Sequence, residues 1–330
     1  MKLQTWMTSR LKAFPSQILQ KYRLRHIVVS LFRFFFLLSL SYIILFPLLY
    51  MISNSFKPMD QLTDPSIVWI PKNFTLDNFH KAAEAMHYWR SFFTSVRVGL
   101  ISALIQVLTC SFIAYGFTRY RFKGRNLLFG LVIVTIIVPP QATMVPTYLN
   151  FTNVDFLGIV SLFREISGSN FKINLIDSAA TFYIPSLFGV GLRSGLFIFI
   201  YRQFFKGLPR ELEEAAWIDG AGHLRTYAVI ALPLTGSAVL TVLIFSIMWH
   251  WNDYFLSNMY FSENFPLSVA LAQIRSGLSS SMGYSEFSSP VAIRSILMAG
   301  CLVFILPMLL LYIFLQKYFI KSIERVGIVG

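Results

Sequence analysis

Apolar stretches of membrane length fill most of this 330-residue chain, and no soluble fold of that size has interior enough to hide them. They run near Leu31–Ile52, Ser91–Phe117, Asn126–Asn150, Ala180–Tyr201, Ala228–Asn258 and Ile293–Gln316. As helices, each is long enough for a hydrocarbon core about 30 Å thick. Hydrophobic residues make up 55% of the chain and charged residues 13%, with a mean hydropathy of +0.62. The expected fold class is therefore all-α and integral to the membrane, with six transmembrane helices and short connections. Cys110 and Cys301 fall inside apolar stretches without ligand-like spacing and read as packing residues. No metal site is expected.

Two of the stretches are irregular. Pro139-Pro140 interrupts the third near its middle, and Pro185 with Gly189, Gly191 and Gly195 loosens the fourth. Irregular backbone at that depth is tolerated only against protein or a wet cavity, so both segments read as lining a pathway.

Basic residues gather in alternate connections: Lys2 to Arg33, Arg119 to Arg125, Arg202 to Arg225, and Lys317 to Arg325. By the positive-inside rule these segments are cytoplasmic, as are both termini, and the number of spans is even. The net charge of +13 is spread over membrane flanks, so nucleic acid is not an expected partner. Residues 1–30 form a basic cytoplasmic extension. It either lies on anionic membrane lipid or acts as a positive flank that fixes topology. Residues 31–330 form the membrane domain.

Between the fourth and fifth stretches, Glu211, Glu213 and Glu214 follow Pro209, and Gly220 and Gly222 come soon after. Proline suits a first helical turn, acids suit its positive end, and glycine stops a helix, so the pattern predicts a cytoplasmic helix of about three turns. Adjacent Ala215 and Ala216 would let a partner approach the backbone, Glu214 could meet an arginine there, and Trp217 with Ile218 would anchor the contact. An ordinary amphipathic loop helix fits the same residues.

The spacing from Glu214-Ala215-Ala216 to Gly220 and on to Ile230 and Leu232-Pro233 resembles the complete EAA loop of ABC importer permeases. The match is to the carbohydrate-uptake class that includes MalG-like subunits. NSFKP at Asn54–Pro58, VPPQATMVPTYL at Val138–Leu149, WNDYF at Trp251–Phe255 and the ending LQKYFIKSIERVGIVG agree in order. The resemblance implies a type I ABC importer transmembrane domain of a prokaryotic inner membrane, with a five-helix core over about 90–316 and a coupling loop over about 206–233. It implies a second homologous permease, an ABC ATPase dimer that binds ATP and Mg, and an extracytoplasmic sugar-binding protein. Glu214, Ala215, Ala216, Trp217, Asp219, Gly220 and Gly222 would meet the ATPase. No phosphate loop of the form Gly-x-x-x-x-Gly-Lys-Ser/Thr occurs, so this chain binds no nucleotide cofactor and is not an enzyme. Asp155–Ser178 is longer than the family norm, and the polar segment Ser276–Ser289 could reach a binding protein.

Within the membrane, Gln141, Thr143, Asn252, Asp253 and Tyr254 carry amide, hydroxyl, carboxyl and aromatic groups of the kind a sugar needs, or they satisfy neighbouring helices. Arg193 must face protein or water, and is expected either to pair with a carboxylate such as Asp253 or to line the pathway. A self-contained ion-coupled transporter is the alternative, but it should show inverted repeats and several intramembrane acids. Asp253 is the one acid well inside an apolar stretch.

Overall fold

The computed structural model describes residues 16–64, 66–67, 69–155, 158–168, 172–282 and 290–327, and every regular element among them is helical. Lys2, Arg10 and Lys12 of the basic extension, residues 283–289 of the polar segment and the last three residues lie outside the described residues. The chain divides into two compact units, up to Thr75 and from Leu76 onward.

The first unit holds α1 (Ser16–Ser55) and the short α2 (Met59–Leu62). Residues His26–Ser55 of α1 have a mean hydropathy of 2.3 and bury nothing of their apolar window. A helix with Phe32, Ile43 and Ile44 all exposed is stable only where hydrocarbon surrounds it. The NSFKP segment closes the end of α1: the buried Lys57 ammonium donates to Asn54 Oδ1 at 3.2 Å and to the Ile67 carbonyl at 3.0 Å.

The second unit begins with α3 (Asp77–Ala85) and α4 (Tyr88–Arg119). A sharp bend of 102° at Val138-Pro139 separates α5 (Arg125–Ile137) from α6 (Pro140–Thr152), placing the break where the paired prolines predicted it. The loop that follows carries α7 (Ile159–Ser167). Then α8 (Ala180–Leu187) and α9 (Ser194–Gly207) flank an irregular stretch at 188–193. The EAA loop comprises α10 (Glu211–Ile218), α11 (His223–Thr226), a π turn (Tyr227–Ala231) and α12 (Leu232–Leu234). It leads into α13 (Gly236–Asn252), α14 (Phe255–Tyr260), α15 (Leu267–Ala272), α16 (Ile274–Met282) and α17 (Pro290–Gly327).

Among the described residues, three helices are long and apolar enough to cross a membrane, or five if the two bent pairs each count as one span. The six expected spans are thus not all continuous helices. The expected third and fifth are the bent pairs, and the expected fourth is broken at 188–193, where Gly189 and Arg193 have positive φ, into two short helices.

α4 organises the second unit through an inverted amphipathic pattern. Ser91, Ser95, Gly99, Ser102, Gln106 and Cys110 are buried, whereas Leu100, Leu104, Leu108 and Phe112 are exposed. Small residues at helical spacing let neighbouring helices approach closely where the hydrophobic effect supplies no drive. Around them Tyr115, Phe197, Tyr201, Phe205 and Val242 form one core, and Met86, Trp251, Leu267, Ile274 and Ile296 form another.

The irregular stretch in turn rests on α4. Gln106 Nε2 donates to the Leu192 carbonyl and the Ser194 hydroxyl, each at 2.9 Å, and Ser246 Oγ donates to Gln106 Oε1 at 2.5 Å. Gly191 sits against this group, and a Cβ there would fall 2.5 Å from Ser186 Oγ and 2.9 Å from Gln106 Nε2. Gly191→Ala should therefore lower the thermal midpoint of the detergent-solubilised protein by the equivalent of about 1–3 kcal/mol. An unchanged midpoint would mean that the stretch is not held tightly against Gln106.

Candidate functional site

Two features stand out in the second unit, the EAA loop pinned to the end of α4 and a cleft beside the irregular stretch. The loop helix α10 spans eight residues, about two turns where three were expected. Pro209 lies before its N-cap, Arg210, and so outside the first turn. Gly220, at φ +82°, ends the helix as predicted. Gly222 does not stop it; its extended backbone serves as the N-cap of α11.

The phase of α10 separates its acids. Glu213 turns inward and is buried, while Glu214 is exposed. Arg119 Nε donates to Glu213 Oε1 at 2.7 Å, the Tyr115 hydroxyl donates to Glu213 Oε2 at 3.1 Å, and Arg119 also donates to the Leu208 carbonyl at 3.1 Å. Arg119 therefore joins the carboxyl end of α9 to the amino end of α10, each with the charge that its dipole favours. The π turn is held by the same helix, since the Ser111 and Tyr227 hydroxyls lie 2.6 Å apart. Ser111, Tyr115 and Arg119 are four residues apart and share one face of α4.

Outward from this anchor, α10 presents Ala215, Trp217, Ile218 and Asp219, with Gly220 beside them. Ile218 is 86% exposed. Ala216 is buried, so of the two alanines only Ala215 offers the low-bulk outer contact expected of both. His223 lies edge-on between the rings of Trp217 and Tyr120, at 5.3 and 5.6 Å between centroids. Burial, and then the Glu213 charge, raise the Tyr120 phenol above its ordinary value, so it stays protonated at neutral pH.

The cleft, of about 490 Å³, is lined by α5, α6, α8, α9 and α14. Of the predicted pathway residues, Thr143 and Arg193 line it. Gln141, Asn252, Asp253 and Tyr254 lie outside it. Asn252 donates its amide to the Met248 carbonyl at 2.8 Å. Asp253 does not pair with Arg193: its carboxylate caps α14, accepting from the Ser257 amide at 2.8 Å and the Ser257 hydroxyl at 3.0 Å. Arg193 instead rests over the Trp249 ring, 5.6 Å from its centroid. Its backbone is left-handed at φ +60°, a conformation costing a non-glycine residue on the order of 1–2 kcal/mol.

Sequence reasoning missed Glu213, Arg119 and Gln106. A lone amide within a stripe of small residues was the available signal for Gln106. Among the described residues no group of three or more His, Cys, Asp or Glu side chains could hold a metal ion.

Residues 106–325 match the family described as the binding-protein-dependent transport system inner membrane component. The chain belongs to that family. It is 29% identical, over 88% of its length, to 93% of the arabinooligosaccharides transport system permease protein AraQ of Halalkalibacterium halodurans. It is also 29% identical, over 87% of its length, to 93% of the polygalacturonan/rhamnogalacturonan transport system permease protein YtcP of Bacillus subtilis. Protein LplC of Bacillus subtilis is 30% identical, with 87% of this chain and 90% of LplC covered. The crystal structure of a bacterial ABC transporter involved in import of the acidic polysaccharide alginate contains a chain of the same fold. Its TM-score is 0.65 at 18% identity, covering 88% of this permease and 96% of that chain. The permease is thus a multi-pass membrane component of an ABC importer, a class in which a separate subunit hydrolyses ATP. That membership disfavours the self-contained ion-coupled transporter.

Removing either member of a buried ion pair strands the other, at a cost of about 3–5 kcal/mol. Arg119→Met and Glu213→Leu should each destabilise the permease by about that amount, and the double variant should be milder than the sum of the two. Denaturation of all four proteins in detergent measures the coupling, and strict additivity would contradict the contact.

Proposed function

We propose that the permease is one of two homologous membrane subunits of an ATP-driven importer, and that it passes saccharides delivered by an extracytoplasmic binding protein through the bilayer by alternating access. The observation that carries this reading is the coupling loop: an EAA helix anchored from beneath by Arg119 and Tyr115 and exposing Ala215, Trp217, Ile218 and Asp219 outward. A contact surface of that shape suits a cleft in a partner ATPase dimer, which binds ATP and Mg. Exposed Glu214 offers a carboxylate to an arginine of that cleft, and Gly220 and Gly222 allow the chain to leave it sharply.

Counting α8 and α9 as one broken span beside the three long helices and two bent pairs gives six spans, with both termini in the cytoplasm. Two groups of contacts support the orientation. Arg119 and Tyr120 touch the coupling loop, so the basic segment Arg119–Arg125 shares its side. Asp177 accepts from the Ser262 amide and donates its own amide to the Tyr260 carbonyl, bringing two acid-bearing loops together at the other end. Saccharide as cargo is supported by relatives named for arabinooligosaccharides, polygalacturonan and starch degradation products. Residues 31–330 form the permease domain and residues 1–30 the basic extension.

Glu214→Ala and Gly220→Asp should each abolish saccharide uptake while membrane insertion and abundance stay normal, because both alter an outward-facing contact. Uptake at the unmodified rate in both variants would remove the coupling role from the loop.

A further inference from the structure

Arg193 is a fixed cation on the wall of a membrane cleft, and the described residues give it no counter-charge. Its one intramembrane candidate, Asp253, spends its carboxylate on the cap of α14. No ion pair to Arg193 occurs among the described residues. The guanidinium has five N–H donors in a planar fork, and its recorded contact is the face of Trp249. Such a group is expensive inside a bilayer and marks a ligand pathway by default.

Its position is built rather than accidental. Gln106 holds the Leu192 carbonyl and the Ser194 hydroxyl, the two groups that flank Arg193. The residue is thereby kept in a left-handed conformation that arginine rarely adopts. α9, of 14 residues, runs from it to the cytoplasmic loop, so Arg193 stands about 21 Å from that end, past the bilayer midplane. Thr143 and Thr147 also line the cleft; their hydroxyls donate to the Pro140 and Thr143 carbonyls and keep lone pairs that can accept from a sugar hydroxyl. Its volume of about 490 Å³ suits a small saccharide segment.

We infer that this cleft binds a saccharide bearing a carboxylate, such as a uronic-acid oligomer, with the Arg193 guanidinium donating two parallel N–H bonds to the carboxylate and the Thr143 and Thr147 hydroxyls accepting from ring hydroxyls. Trp249 keeps the planar guanidinium oriented and helps shield it from lipid. Arg193 is thus a specificity-determining residue, which the permease uses to favour acidic over neutral saccharides. The inference rests on the importer reading above and narrows its substrate.

The test uses the whole importer, with its second permease and ATPase, in nanodiscs of zwitterionic phospholipid, both resting and held by a non-hydrolysable ATP analogue. Trigalacturonate and its neutral counterpart, a galactose trisaccharide, are titrated by calorimetry. In at least one state the acidic trisaccharide should bind about tenfold tighter or more, the size expected of one charge-assisted hydrogen-bonded pair. Arg193→Asn, which tolerates the left-handed backbone, and Arg193→Gln should erase the difference, while Arg193→Lys should keep part of it. Equal binding of the two saccharides, binding of neither in both states, or a preference that survives Arg193→Asn would overturn the proposal. So would an effect of Arg193→Asn that appears only in anionic lipid and ignores the saccharide's charge, since the cation would then serve a lipid phosphate. ATP-driven uptake of the neutral trisaccharide alone would discard the acidic site and leave the importer reading standing.

Discussion

Inside hydrocarbon a polar group has no water to bond, and the second unit meets that constraint largely through one helix. α4 carries Gln106 at a fully buried position, where its amide satisfies the broken backbone at Leu192 and the hydroxyls of Ser194 and Ser246. Without that amide, the gap between α8 and α9 would leave the Leu192 carbonyl unmatched in an apolar interior, at several kcal/mol. The break is what gives the cleft its shape and sets Arg193 on its wall. A single glutamine thus makes an irregular pathway wall compatible with a membrane.

The same helix reaches the machinery at the other end. Thirteen residues after Gln106, about 20 Å along the axis, Arg119 meets Glu213 of the EAA helix. Ser111 and Tyr115 between them hold the π turn and the Glu213 carboxylate. The irregular stretch and the EAA loop are therefore fastened to the middle and to the carboxyl end of one helix. No break interrupts α4 between the two attachments.

Much of this was legible in the sequence, and the failures share a cause. Apolar length gave the membrane class, Pro139-Pro140 gave the site of the bend, and the EAA spacing gave the short loop helix together with the family. The facing of individual side chains was not legible. Glu213 and Glu214 are adjacent acids in a first helical turn, and only contact with Arg119 decides which one points inward. Ala216 is buried for the same reason. Asp253 looked like a partner for Arg193 because both lie in apolar stretches, yet an aspartate just before a short helix is first a cap, and the nearby Ser257 amide and hydroxyl claim it. Local hydrogen bonds outcompete a distant charge where the donor lies within one turn.

α4 ties the EAA loop and the irregular stretch into one body. That tie is measured by the distance between spin labels on Ile218→Cys and Val190→Cys, both highly exposed positions, on a Cys301→Ser background in the assembled importer. The distance should hold within about 2 Å, with a single narrow distribution, in the presence and absence of ATP. A shift of several ångströms on ATP binding in otherwise unaltered protein would contradict the account, because the loop would then move independently of the cleft.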